Sequence, residues 1–234
     1  VAGFNFIVAA ITILYFLYVK VIDRPAMQVL ALLLTAAALL FGWANNRDFS
    51  ALLEQKFYDD PIVYKKTTRY QHLVMTHNSK IDDTRLYING NTQFSSLDEG
   101  RYHDFLVHPV MTVAPAIKHV LVLGGGDGLA LREIIKYTEV ESVTLVDLDP
   151  EMINIAMNNQ ILTGLNNHSF QHAKVNVESI NTYVAGSKQA IYMREVGHEI
   201  GEREWVASVD VFNIDADQFL KKQPEQKWDA VVID

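Results

Sequence analysis

The chain has 234 residues, with 28 acidic against 20 basic side chains, a formal net charge of −8 and no cysteine. That length allows one sizeable domain and a smaller one. The missing cysteines exclude disulfides, thiolate nucleophiles and cysteine-ligated metals. The acidic balance, with no polybasic run, argues against nucleic acid and suits a cationic partner.

Two uncharged apolar runs come first, Val1 to Val19 and Ala26 to Ala44, separated by Lys20, Asp23, Arg24 and Pro25. Each is close to the ~20 residues that cross a bilayer. Tyr15, Tyr18 and Trp43 lie near the run ends, as an interfacial aromatic belt requires. The sequence predicts two transmembrane helices within residues 1–46, in contact with membrane lipid. The basic residues after the second run, Arg47, Lys56, Lys65 and Lys66, place the rest of the chain in the cytoplasm.

From Pro61 the pattern changes to short extended runs, Ile62 to Tyr64, Tyr70 to Thr76, Thr84 to Ile88 and Thr92 to Phe94, with a tight-turn signal at Asn89-Gly90. These predict a small antiparallel β-domain, which with its linker occupies 47–109. Ser96 and Glu99 have capping-box spacing, predicting a helix from about Leu97. Its face carries Tyr102, Phe105 and Leu106, and it is expected to stop before Pro109.

The most informative stretch is His119 to Asp149. Val120 to Leu123 reads as a buried parallel strand, and Gly124-Gly125-Gly126-Asp127-Gly128 interrupts it. Leu131, Ile134 and Ile135 recur at helical spacing, and Ser142 to Val146 is a second strand ending on Asp147. Strand, glycine turn, helix, strand and acid make one nucleotide-binding unit, in which the second acid suits ribose hydroxyls. The spacing is G-x-G-x-G, with Leu129 where a dinucleotide fold would place its third glycine. A helix N-terminus attracts anions. Asp127 in the loop opposes an anion and favours an ammonium, so the expected ligand is a nucleoside carrying an amine and no nearby carboxylate. Decarboxylated S-adenosylmethionine has that shape.

Beyond this unit, Pro150 opens a helix with Met152, Ile155 and Ala156 on its apolar face. Residues 161–206 read as an insertion within the 110–234 domain, with a candidate strand at Lys174 to Val177 and an exposed stretch from Arg194 to Glu204. Val209 to Ile214 and Trp228 to Ile233 are strands ending on Asp215 and Asp234. Acids at three strand ends, with Asp127 beside them, make a rim suited to a cation. For Asp215 alone, capping of the next helix is an equal reading. Arg132 and Glu133 are expected on a solvated helix face. His168 and His172, four apart, are expected in a loop and not on a metal.

At this point the chain resembles the spermidine synthase family, the polyamine aminopropyltransferases. The matching stretches are Tyr70-Gln71, LYINGNTQFSSLDEGRYHDFLVHP at Leu86 to Pro109, VLVLGGGDGLALREI at Val120 to Ile134, SVTLVDLDP at Ser142 to Pro150, NIDADQFL at Asn213 to Leu220 and WDAVVID at Trp228 to Asp234. With the two apolar runs ahead of them, the likeness is to the membrane-anchored bacterial branch, at the inner membrane.

The resemblance implies an α/β fold whose sheet is Rossmann-like, of the class I S-adenosylmethionine-binding kind and here incomplete. It implies aminopropyl transfer from decarboxylated S-adenosylmethionine to putrescine, giving spermidine and methylthioadenosine, without metal or other cofactor, in a homo-oligomer. Gln71 and Gln93 resemble the glutamines that hold the nucleoside, with Gly124 and Gly126 lining it. Asp127 resembles the acid on the aminopropyl ammonium, Asp147 the ribose acid and Asp215 the adenine contact. Tyr102 and His103 match positions beside the attacking amine, and Asp234 matches the base.

In that family further strands and a second acid follow the catalytic aspartate. With Val1 at one end and Asp234 at the other, the chain is expected to be a piece that does not turn over alone. The rival readings are a methyltransferase on the same fold, which Asp127 disfavours, and a membrane protein that binds polyamines or nucleosides without catalysis.

Overall fold

A computed structural model describes residues 2–18, 25–44, 52–172, 175–182, 192–194, 207–223 and 225–234. The chain divides into two compact units, Val1–Pro61 and Ile62–Asp234. The first contains helices α1 (Ala2–Tyr18) and α2 (Pro25–Ala44), of 17 and 20 residues. Helices form where the hydropathy places them, and they expose Ile11, Leu14, Leu33, Leu34 and Phe41. Among the described residues, however, no helix is long and apolar enough to cross a membrane. The expectation of two transmembrane spans therefore has no support in the structure. At 1.5 Å per residue, the 17 residues of α1 fall short of a hydrocarbon layer about 30 Å thick.

The second unit begins with an antiparallel meander, β1 (Ile62–Thr67), β2 (His72–Asn78), β3 (Asp83–Ile88) and β4 (Asn91–Ser95). Asn89 and Gly90 both have positive φ, 53° and 82°, so the β3–β4 turn is the one that Asn-Gly signals. Leu73, Met75, Leu86 and Phe94 of this sheet are buried in the main core.

Helix α3 (Glu99–Val113) differs from its expectation in three ways. Ser96 makes no capping box, because its hydroxyl accepts from the Thr84 amide and the Glu99 carboxylate is engaged elsewhere. The helix runs through Pro109. The carbonyl that loses its partner there is that of Phe105, a residue that is 81% exposed. The buried stripe is Glu99, His103, Val107 and Met111; of the expected face only Leu106 packs against the core, half-buried, while Tyr102 and Phe105 are exposed. Two polar side chains sit on that stripe, so hydrophobic periodicity pointed to its flank.

Next comes a six-stranded sheet in the order β10-β5-β6-β9-β7-β8. It comprises β5 (His119–Leu123), β6 (Ser142–Asp147), β7 (Val175–Thr182), β8 (Tyr192–Arg194), β9 (Ala207–Asn213) and β10 (Ala230–Ile233). All neighbours are parallel except β8 against β7. Successive side chains of a strand point to opposite faces. Val120 and Val122 accordingly enter the large core, while Leu121 joins Val146, Ile214 and Phe219 on the other face. Burial on both faces is why these strands read as unbroken apolar runs.

Helices α4 (Leu129–Ile134), α5 (Pro150–Asn158), α6 (Gln160–Leu165) and α7 (Ala216–Lys222) complete the unit. The 161–206 stretch contains most of α6 and also β7, a member of the parallel sheet. Residues 183–191 and 195–206, where most of the exposed excursion was placed, lie outside the described residues. His168 and His172 flank a 3₁₀ turn at Ser169–Gln171. The chain leaves β5 towards β6 on one side, and β10 pairs on the other. The carboxyl ends of β5 and β10 are thus a topological switch point, where open α/β sheets bind ligands.

Candidate active site

The glycine turn follows β5, and two of its glycines are there for close approach. Gly124 has φ +90°, and a Cβ on it would lie 2.6 Å from the Asp234 carbonyl oxygen. A Cβ on Gly126 would lie 2.5 Å from the Asp147 carboxylate, which instead accepts the Gly126 amide at 3.0 Å. The turn therefore draws together the tips of three strands. Asp147, at the end of β6, also accepts the Asp149 amide at 2.8 Å, and Asp149 caps α5.

Asp234 directly follows β10, and its amide donates to the Leu123 carbonyl at 2.9 Å. Its side chain is only 12% exposed. The Tyr102 hydroxyl donates to it at 3.0 Å, and His103 Nε2 lies 3.9 Å away. Ligand atoms of His103, Asp127 and Asp234 all lie within 4.8 Å of one another. That compass could hold a metal ion and equally an ammonium. Asp104, His108 and Glu133 form a second such group.

The two clusters of acids have opposite electrostatics. Burial, then the neighbouring Asp234 carboxylate, raise the Asp127 pKa to about 7. Burial also raises that of Asp147, against the pull of its backbone hydrogen bonds. Tyr102 is raised by burial and by Asp234. Behind this rim, burial would raise Glu99 too. Its hydrogen bonds from His103 and Arg132 outweigh that and bring it down to about 2.

All ten residues predicted for the site gather at one edge of the sheet. One hollow is lined by Gln93, Tyr102, His103, Gly124, Gly126, Asp127, Asp147 and Asp234. An adjoining one is lined by Gln71, Gly124, Asp147 and Asp215. The two share Ile88, Gly124, Asp147 and Met152. Asp215 also caps α7, accepting the Gln218 amide at 3.0 Å, so the capping reading holds for it.

The sequence reading missed the layer behind the rim. Arg132 is not solvated: it makes a two-pronged pair with Glu99, at 2.8 and 2.9 Å, and donates to Glu133 and to the Leu165 carbonyl. Glu133 is 2% exposed. No local signal marks this, because charged residues at helical spacing ordinarily face water and the partner of Arg132 is 33 positions away.

Fold and site together define an α/β domain with a parallel sheet and an acidic rim at the carboxyl ends of its strands. Residues 99–190 match the spermine/spermidine synthase domain. The chain is 48% identical over 144 residues to polyamine aminopropyltransferase 2 of Ralstonia nicotianae, covering 62% of this chain and 28% of that one. It is 45% identical over 163 residues to the polyamine aminopropyltransferase of Leptospira interrogans, covering 70% and 31%. Spermidine synthase from Thermotoga maritima superposes with a TM-score of 0.53 at 21% identity, over 74% of this chain and 46% of that one, a likeness of fold. The chain is homologous to the polyamine aminopropyltransferases over the stretches matched. It spans about a third of the length of the curated relatives it matches.

Proposed function

We propose that the protein transfers the aminopropyl group of decarboxylated S-adenosylmethionine to putrescine, giving spermidine and methylthioadenosine. The observation that carries this is the placement of Asp127 beside Asp234. Two carboxylates confined this closely resist full ionisation, and a bound ammonium relieves them. Asp127 takes the donor's ammonium, Asp147 the ribose hydroxyls, Gln71 and Gln93 the rest of the nucleoside, and Asp215 the adenine.

A diamine is protonated at neutral pH, like lysine with its pKa of about 10, and has no lone pair to attack with. Asp234, aligned by Tyr102, takes one proton as the nitrogen closes on the propyl carbon. The C–S bond breaks and its electron pair stays on sulfur, which leaves as a neutral thioether. Two cations become one ammonium, one thioether and one released proton. The sulfonium is already an activated leaving group, so holding the two cations in line is the main task.

A methyl donor retains a carboxylate that Asp127 would repel. Calorimetric titration should therefore show decarboxylated S-adenosylmethionine binding at least about tenfold tighter than S-adenosylmethionine, a difference of ~1.4 kcal/mol. Equal affinities would sink the proposal.

We also propose that α1 and α2 hold the protein at a bacterial inner membrane with the catalytic unit in the cytoplasm. Supporting this are their uncharged sequences and the exposed Ile, Leu and Phe side chains along them. Release of the full-length protein by alkaline carbonate would overturn it.

A further inference from the structure

The acceptors around His103 settle where its ring proton sits. Nδ1 lies 2.9 Å from the Glu99 carbonyl and 2.9 Å from the Glu99 carboxylate. Both are acceptors only, so Nδ1 carries hydrogen and Nε2 is left to face the hollow. There Nε2 stands 3.9 Å from Asp234. Catalytic contacts of this length shorten once substrate is held. Glu99 is itself gripped by Arg132 through two parallel hydrogen bonds and is almost fully buried. A bidentate buried clamp of this kind fixes a carboxylate in place and keeps it ionised.

We infer that Glu99, clamped by Arg132, is a positioning residue for the transfer step: it holds the His103 ring with its proton on Nδ1 and a negative charge behind it, so that Nε2 receives the proton that Asp234 draws from the amine. This rests on the reaction proposed above. The released proton then has a path, from ammonium to Asp234 to His103, and leaves when product opens the hollow to water. Asp234 is returned to its ionised form for the next turnover.

The groups facing His103 agree with this. Glu99 lies on its own helix, Asp127 on the glycine turn and Asp234 after β10, and Arg132 acts through Glu99. Burial disfavours charge on the ring, yet Glu99, Asp127 and Asp234 outweigh it and hold the His103 pKa above its ordinary value. A ring with that affinity for protons accepts one readily and must lose it before the next cycle, so kcat should rise with pH through its titration.

The test is the pH profile of kcat for the full-length protein, with decarboxylated S-adenosylmethionine and putrescine both saturating. Glu99→Gln keeps an acceptor for Nδ1–H and leaves Arg132 with Glu133, but removes the charge behind the ring. The acid limb should move to lower pH, and kcat on the alkaline plateau should fall roughly tenfold. An unmoved limb overturns the proposal. A limb moved to higher pH also overturns it, because that assigns the limb to Asp127, which loses a compensating cation when His103 is less charged.

His103→Gln should remove the limb while changing donor affinity less than about threefold, and it tests the same path if Glu99→Gln does not fold. A separate reading comes from ¹⁵N-histidine NMR of the donor-bound protein, which reports ring titration without turnover. If transfer is never observed, the reaction is wrong, whatever the ring does. If transfer occurs and Glu99→Gln shifts the ring titration but not the kcat limb, His103 lies outside the proton path.

Discussion

Two groups of acids lie on either side of His103 in this molecule and behave oppositely. Glu99 and Glu133 are buried with their cations built in. Arg132 touches both, His103 and Lys136 add one partner each, and both carboxylates titrate below their ordinary range. Asp127 and Asp147 accept hydrogen bonds from backbone amides, and burial holds them above it despite the pull of His103 on Asp127. The first arrangement carries its own counter-charges. The second lacks a built-in cation of that kind, and in the proposed reaction the donor's ammonium supplies one. Removing a partner should damage the first group and leave the second folded. Removing an acid should relieve the second group and abolish its chemistry.

The largest effect should come from Asp234→Asn. It keeps the shape and the contact with Tyr102 but cannot take a proton. kcat of the full-length protein should fall by about 10² to 10⁴, the range for loss of a general base, with donor affinity changed only severalfold. Parallel loss of donor affinity would show that Asp234 belongs to the binding group alone.

Arg132→Met sharpens the other half. It strands Glu99 and leaves Glu133 to Lys136 and His108, and breaking a buried pair costs about 3–5 kcal/mol. Urea unfolding at pH 7 should show that loss. A change under 1 kcal/mol would mean that the buried cluster is not what holds α3 on α4.

Asp127→Asn should do the reverse. The raised folded pKa means that the native state binds this proton more tightly than the unfolded chain does. Its stabilising contribution is complete below the unfolded value near 4 and is lost as pH rises through about 7. At pH 8 the neutral amide should therefore stabilise the ligand-free protein, by of the order of 2 kcal/mol. Donor affinity should drop roughly 10- to 100-fold, as for one charged hydrogen bond. Lower thermal stability at pH 8 together with lost binding would place Asp127 in the structural group.

The same contrast explains what was legible in the chain. The rim is written in consecutive residues, because a glycine turn and strand-end acids are local consequences of a backbone that must approach a ligand. Gly124, Gly126, Asp127 and Asp147 could be read within one 24-residue stretch. The layer behind it could not. Glu99 looked like a capping residue and Arg132 like a solvated one, since each makes sense only against a partner brought in by tertiary packing. The face of α3 was misjudged for the same reason: a histidine and a glutamate on the buried stripe invert the pattern on which periodicity relies. Pro109 misled because a proline ends a helix only where the freed carbonyl finds no alternative.

Asp215 stands between the two groups and gives the smallest expected effect. Its carboxylate accepts the Gln218 amide as the cap of α7, and the same residue lines the second hollow with Gln71. Asp215→Ala removes both contributions and should cost about 1 kcal/mol of stability, the usual value of an N-cap. Asp215→Ser keeps a capping oxygen but shortens the side chain and discharges it. If the residue reaches the adenine, the serine variant should unfold within about 0.5 kcal/mol of the parent and bind donor severalfold more weakly. If both variants keep full donor affinity, the cap is the whole of its role. The adenine end of the hollow would then be held by Gln71 and the apolar walls of Ile88, Met152 and Ile214, which make no charge demand on the ligand.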